Sequence, residues 1–411
     1  MADELLSVDE ARERVLAEVA SPLSAEGVPL AAARGRVLAA DAVSPEDVPG
    51  FDNSAMDGFA VRSADTAAGR LRVAGESRAG APAARGLETG EAIRVSTGAV
   101  MPAGADAVLR IEEVAERDGG IEFDTAVEAG RDVRGRGDDI RAGDTVLRAG
   151  AALGAAELGV LASIGTAEAT CARRARVATL FTGDELLAPG EPMVPGGVRN
   201  SNAYTVPALA AGAGAEVVLR ERVADSLEAT RDALGLALAA GDVVVVCGGV
   251  SVGPHDHVKA ATAELAVAER FWGVALRPGR PTWFGVHEGG PGQRGALVFG
   301  LPGNPVSAFV TFVLFVRPAL RALAGAPSEG ERTSATLTAP VPRLPARDQM
   351  VRCRLELGEA GWRATPTGPQ GSHVLTSMLG ADALALVEAG PEPAPAGSAV
   401  RVELLRAAGW A

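Results

Sequence analysis

Four consecutive valines, Val243 to Val246, stop abruptly at Gly248-Gly249. An apolar run without polar alternation predicts a strand buried on both faces, and the glycines after it predict a tight turn at its carboxyl end. Similar runs surround it. Between Arg176 and about Gly325, β-type segments (Val177 to Phe181, Glu216 to Arg220, Val243 to Cys247, a strand at Val274, and Ala296 to Phe299) alternate with helical ones. The helical segments are Ala203 to Ala211, Leu227 to Ala240, one from about His257, and Val306 to Leu323. Such alternation predicts βαβ units and a mostly parallel sheet.

The flanks read differently. Ser7 with Glu10 three residues later is a capping box opening an amphipathic helix in an acidic N-terminus, a pattern unlike a signal peptide. Short β-type runs at Phe59 to Arg62, Leu71 to Ala74, Ala92 to Val95, Ala107 to Ile111 and Ile121 to Val127 are separated by glycine turns. They predict a β-rich region. Ala155 to Ile164 reads as a helix, and from Glu331 onward short strands and proline turns predict a small β-domain.

At 411 residues the length suggests about three domains. With 47% hydrophobic and 22% charged residues the composition is that of a soluble globular protein, and only 4% aromatics predict aliphatic interiors. A formal net charge of −13 argues against a nucleic-acid partner, so any anionic ligand must be captured locally. Cys171, Cys247 and Cys353 are far apart with no CxxC pair, which supports neither a disulfide framework nor a thiolate zinc site and fits a reducing cytoplasm. The apolar run Val306 to Val316 contains Ser307 and Thr311 and is too short to span a bilayer; no membrane segment is expected.

Candidate chemistry gathers at the expected strand ends. Gly248, Gly249, Ser251 and Gly253 put backbone N–H groups and a hydroxyl where open α/β sheets bind ligands; the alternative is a plain strand-to-helix turn. Asp256 and Lys259 follow three residues apart, sharing a first helical turn if a helix starts there. Lys259 is the only lysine among 39 basic residues, a hint that a compact ammonium is needed in place of a planar guanidinium. FTGDELL sets Asp184 and Glu185 at another strand end, and with Asp225 and Asp256 they can offer oxygen ligands to Mg²⁺; the alternative is that each caps a helix. GLPGNPVSAF opens a helix with Asn304 as N-cap and Pro305 at the first position, and its turn, including Pro302 and Gly303, can face a ligand with its amides. Arg277 and Arg280 in RPGRP are prolines' neighbours, suited either to an oxoanion clamp or to a surface turn. His255 and His257 lack further ligands for zinc, and no nucleophilic triad is evident.

Ten segments in order, FDNSAMDGFAVR, AGESRAG, RVSTGAVMPAGADAV, RGRGDDIRAGD, TGDEL, NSN, GGVSVGPHDHVK, RPGRP, GLPGNPVSA and QGSH, together resemble the molybdopterin molybdenumtransferases. This is the MoeA family that includes the E domain of gephyrin. The resemblance implies a multidomain α/β plus β fold. An elongated linking domain would take residues 1–50 and 143–172, a β-rich domain 51–142, an α/β molybdopterin-binding-like domain 173–327, and a C-terminal β-barrel-like domain 328–411.

The implied activity is Mg²⁺-dependent insertion of molybdate into adenylylated molybdopterin with release of AMP. Asp57 and Thr97, then Asp184, Glu185, Asp225, Asp256 and Lys259, and Arg352 and Ser372 are the residues implicated, converging across a homodimer. Molybdopterin adenylyltransferase and molybdoenzymes are implied as protein partners. Three positions depart from the family pattern: Gly273 where a basic residue is frequent, Asn200 where aspartate is frequent, and Phe181 where serine is frequent. Two alternatives stay open, adenylyl transfer from ATP to molybdopterin and a non-catalytic scaffold or cofactor carrier.

Overall fold

Val243 to Val246 are wholly buried in the computed structural model, which describes residues 5–250, 256–289, 295–328 and 332–405. Val243, Val245 and Cys247 belong to one core while Val244 and Val246 belong to another on the opposite face. Each buried valine contributes about 1.5–3 kcal/mol relative to exposure, which holds this strand at the centre of its sheet. The sheet order is Glu216–Val223, Arg176–Thr182, Val243–Cys247, Ala296–Leu301, Trp283–His287, Ala268–Trp272. The first four strands run parallel and the last two are antiparallel additions.

The expected strand at Val274 is not one; Val274 makes a single parallel bridge to Leu6. Its neighbours Ala268–Trp272 and Trp283–His287 form the strands instead, because Gly273, at φ +89°, ends the first of them. The expected helices occur as Asn202–Gly212, Leu227–Ala240 and Val258–Glu264. Val306 to Leu323 occurs as the helix Pro305–Leu323, whose length and hydropathy would suit a bilayer, but 78% of its apolar 18-residue window is buried inside the protein. Pro318 has no N–H for the helical ladder, and the turn before it, Phe312–Val316, widens into π geometry.

The C-terminal strands close on themselves. Asp348–Gly358 pairs with Gly361–Pro366 and with Ala383–Val387, and the ring is completed through Arg332–Leu337 and Ala399–Leu404. Closure removes exposed edges. Val351 and Cys353 fill this barrel's core, while Met350, on the alternate face with Arg352, joins the core of the α/β layer.

These elements form one compact unit, residues 1–26, 35–39 and 170–411. Its N-terminal helix, Val8–Ala17, carries the expected capping box, Glu10 N–H to Ser7 Oγ at 3.2 Å and Ser7 N–H to Glu10 Oε2 at 2.8 Å. Buried Glu403 fastens that helix to the barrel. It accepts from Arg12 Nη1 (2.8 Å), Arg332 Nε (2.6 Å) and Arg317 Nη2 (3.2 Å). Glu403→Gln would leave three guanidiniums around a neutral amide; the expected cost is about 3–5 kcal/mol, measured as a fall in chemical and thermal unfolding midpoints.

The second unit, residues 27–34 and 40–169, holds a six-stranded sheet in the order Ala107–Arg110, Gly58–Val61, Glu91–Val95, Arg70–Ser77, Gly120–Glu122, Ala115–Arg117. Ile121 to Val127, expected as one strand, contributes only its first two residues to Gly120–Glu122. Gly58 opens the second strand. A Cβ there would overlap the Leu109 carbonyl of the adjacent strand, so the MDGF turn admits only glycine.

Candidate active site at the carboxyl edge of the parallel sheet

Phe181 pairs with Cys247 and Cys247 with Leu301, so three parallel strands end side by side. The segments that follow, Thr182–Gly183, Gly248–Gly249 and Pro302–Gly303, therefore lie next to one another. Their backbones continue the ladder briefly: Gly248 N–H donates to Leu301 O at 3.0 Å, and Gly183 N–H to Val223 O at 3.3 Å. Gly248 has φ +96°, and a Cβ on it would stand 2.7 Å from Thr182 Oγ1 and 2.9 Å from Thr182 O. Gly248→Ala is expected to cost about 1–3 kcal/mol in stability and to push the turn out of line, seen as a lower melting temperature together with reduced turnover.

A cleft of about 580 Å³ opens over these ends. Glu185, Asp225, Gly248, Gly249, Asp256, Pro302, Gly303 and Asn304 line it among the expected residues. Asp184 joins through Asp225: each backbone N–H donates to the other's carboxylate, Asp184 N–H to Asp225 Oδ2 at 3.3 Å and Asp225 N–H to Asp184 Oδ1 at 3.1 Å. The alternative that Asp184 and Glu185 cap a helix fails, since a short strand, Leu186–Leu187, follows them. Asp225 stands one residue before Ser226, the side chain that does cap Leu227–Ala240. Among the described residues no three His, Cys, Asp or Glu side chains form a ready cation cage.

Asn304 is the N-cap of its helix with Pro305 in the first turn, yet its side chain makes no capping hydrogen bond. Lys259 is the second residue of Val258–Glu264, and Asp256 precedes that helix by two residues. Ser251, Gly253 and His255 lie outside the described residues.

Two further cations are brought together. Leu276–Arg277 pairs in parallel with Asp348–Gln349, on the strand that carries Arg352. Arg352 is wholly buried. Its Nε donates to Ser377 Oγ (3.1 Å) and its Nη2 to Pro369 O and Gly371 O (3.2 Å each), while Nη1 has no partner. Burial, with a smaller contribution from Arg277, pulls the guanidinium down to about 10, still charged at neutral pH. A buried cation with an open donor is costly unless an anion meets it. The loop around it touches the α/β layer, where Val306 N–H donates to Ser372 O at 3.2 Å. Arg280 is exposed on the same turn as Arg277, and its carbonyl accepts from Val274 N–H at 3.0 Å.

Asp57 and Thr97 meet on the second unit. Gly58 pairs with Val95, and Asp57 Oδ1 accepts from Thr97 N–H at 2.6 Å and Thr97 Oγ1 at 3.0 Å. The backbone bond, then the hydroxyl, holds this carboxyl below its ordinary range. Another cleft on this unit, about 570 Å³ and lined by Arg70, Glu112, Glu113, Glu122 and Asp124, contains none of the expected residues.

Two site residues escaped the sequence reading. Asn202, within NSN, donates from Nδ2 to Gly303 O at 2.7 Å and ties its helix to the GLPGNP turn. Trp272 lies against Lys259, whose Nζ is 4.1 Å from the ring centroid. Neither contact has a local signal, because each partner is remote in sequence.

Residues 6–165 match the MoeA N-terminal region (domain I and II), 178–322 a probable molybdopterin binding domain, and 334–405 the MoeA C-terminal region (domain IV). The molybdopterin molybdenumtransferase of Haemophilus influenzae is 36% identical over 97% of this chain and 98% of its own length. The chain belongs to the MoeA family. Molybdopterin molybdenumtransferase 2 of Mycobacterium tuberculosis is also 36% identical, over 90% of this chain and 93% of that protein. The solved MoeA protein of Pyrococcus horikoshii OT3 superposes with a TM-score of 0.84 at 29% identity, covering 98% of this chain and all of that one.

The three departures from the MoeA pattern take on physical meaning here. Asn200 Oδ1 accepts from Ala203 N–H at 3.1 Å, a task an aspartate oxygen performs equally well. Phe181 is buried in the sheet core. At Gly273 φ is +89°, a conformation that strains any side chain, and a Cβ there would also displace the tip of the Leu5 side chain, 2.6 Å away, so a basic residue is disfavoured in this backbone.

Proposed function

We propose that this chain inserts molybdenum into adenylylated molybdopterin, with release of AMP, as a step of molybdenum cofactor biosynthesis. The observation that carries the reading is that one unit holds both chemistries: clasped carboxylates at the strand ends and a buried arginine with an open donor near Arg277. The substrate is a polyanion and molybdate a tetrahedral oxyanion. On a chain of net charge −13, only such local cations and backbone amides can bind them.

In this account the amides of Gly248, Gly249 and Gly303, with Asn304, orient the phosphates; Ser251 and Gly253, outside the described residues, are assigned to the same task by the sequence motif alone. Arg277, Arg280, Arg352 and Ser372 receive the oxyanion, and Lys259 offsets charge that develops as the phosphoanhydride opens. Mg²⁺ is usually held by one or two carboxylates plus substrate phosphates, a donor set that Asp184 and Asp225 fit without a protein cage. Glu185 and Asp256 complete the acidic rim. When bound there, Mg²⁺ would neutralise phosphate charge.

Assembly as a homodimer, with Asp57 and Thr97 of one copy completing the site of the other, belongs to the same proposal. So do a cytoplasmic location, which three unpaired buried cysteines fit, and transfer of the product to molybdoenzymes. Incubation with adenylylated molybdopterin, molybdate and Mg²⁺ should yield a product that activates a cofactor-free molybdoenzyme. No activation, with the substrate shown to be intact at the start, would refute the reading.

A further inference from the structure

Lys259 and Trp272 come from different elements, the helix Val258–Glu264 and the last position of the strand Ala268–Trp272. The ammonium nitrogen lies 4.1 Å from the ring centroid, within the range of a cation–π contact. The same indole donates its N–H to Val250 O at 2.9 Å. Val250 directly follows the Gly248–Gly249 turn and is itself buried. One side chain thus touches both the chain's only lysine and the backbone that leaves the glycine turn.

The indole packs against the core on one face of the sheet, and the backbone that carries it is paired. Trp272 pairs with Trp283 in the antiparallel edge, and the next residue, Gly273, donates its N–H to Thr282 O at 2.8 Å in a buried turn at φ +89°. A lysine has a flexible four-carbon stem and three donors. A ring face can fix the position of its nitrogen while leaving N–H groups for a ligand.

We propose that Trp272 is a positioning residue for Lys259: its ring face sets the ammonium and its N–H sets the glycine turn, so cation and turn are held in register. This rests on the reading of Lys259 as a contact to substrate. It also gives the single lysine a physical rationale, since the compact ammonium can sit on the ring and still present donors, where a guanidinium stacked flat would direct its fork elsewhere.

Because Lys259 is the only lysine, reductive methylation with ¹³C-formaldehyde labels one side-chain amine, distinct from the terminal one. Its N-methyl signal should be shifted upfield by the ring current in the wild-type protein, less so in Trp272→Phe, and not at all in Trp272→Leu. An unshifted wild-type signal overturns the contact. In turnover of adenylylated molybdopterin, Trp272→Leu should lower kcat at least tenfold with KM changed less than threefold, and Trp272→Phe should recover most of the loss. In a Lys259→Ala background Trp272→Leu should add nothing. Additive losses, or a Phe variant as poor as Leu in a protein that melts normally, would overturn the positioning role. Unimpaired Lys259→Ala would overturn the reading of Lys259 and the catalytic part of the proposal with it, while the methyl signal would still decide the contact.

Discussion

Asp184→Asn is expected to lower turnover of adenylylated molybdopterin by about 10²–10³-fold while leaving the melting temperature nearly unchanged. Asparagine keeps an oxygen at the place where Asp184 Oδ1 accepts from Asp225 N–H, so the clasp survives and only the charge is lost. Asp225→Asn should behave alike, because its Oδ2 accepts from Asp184 N–H in the same way. If the two carboxylates hold one cation together, as proposed, the double variant should be little worse than the poorer single one. Single-turnover rates measured against Mg²⁺ concentration check this: all three variants should require more Mg²⁺ for half-maximal rate. Independent, multiplying losses would show that the two carboxylates act at separate places.

Arg352→Gln is expected to weaken molybdate use by about ten- to a hundredfold, the scale of one charged hydrogen bond in a buried setting. Arg352→Lys should rescue it poorly. Three of the guanidinium's bonds are spent on Ser377 Oγ, Pro369 O and Gly371 O, which fix the plane from which Nη1 projects, and an ammonium has no such plane. The group stays charged across neutral pH, its lowered value of about 10 lying well above the working range. The molybdate concentration giving half-maximal rate should therefore show no contribution from Arg352 between about pH 6 and 9. Titration of the rate with molybdate at several pH values checks both statements.

Much of this site was legible because its signals are local. The valine run with its glycines, TGDEL and GLPGNP each announce a strand end, and parallel pairing alone places them together. What was missed depended on contacts between remote segments. WFGVH and AERFW form strands through antiparallel pairing at the sheet edge, although glycine and charged residues break their alternation. Arg352, implicated by the family resemblance, has no local signal of its own: it occupies an ordinary position in the alternating strand DQMVRCRLELG, and only barrel closure against the α/β layer shows that the Met350 side faces a core. Trp272 has no local signal for the same reason: Lys259, which it touches, is thirteen positions earlier, on a helix.

AMP release from adenylylated molybdopterin by the purified wild-type chain, followed with molybdate and Mg²⁺ added or withheld, tests the central claim most directly. The account predicts rapid release only when both are present; equal release with molybdate left out would contradict it.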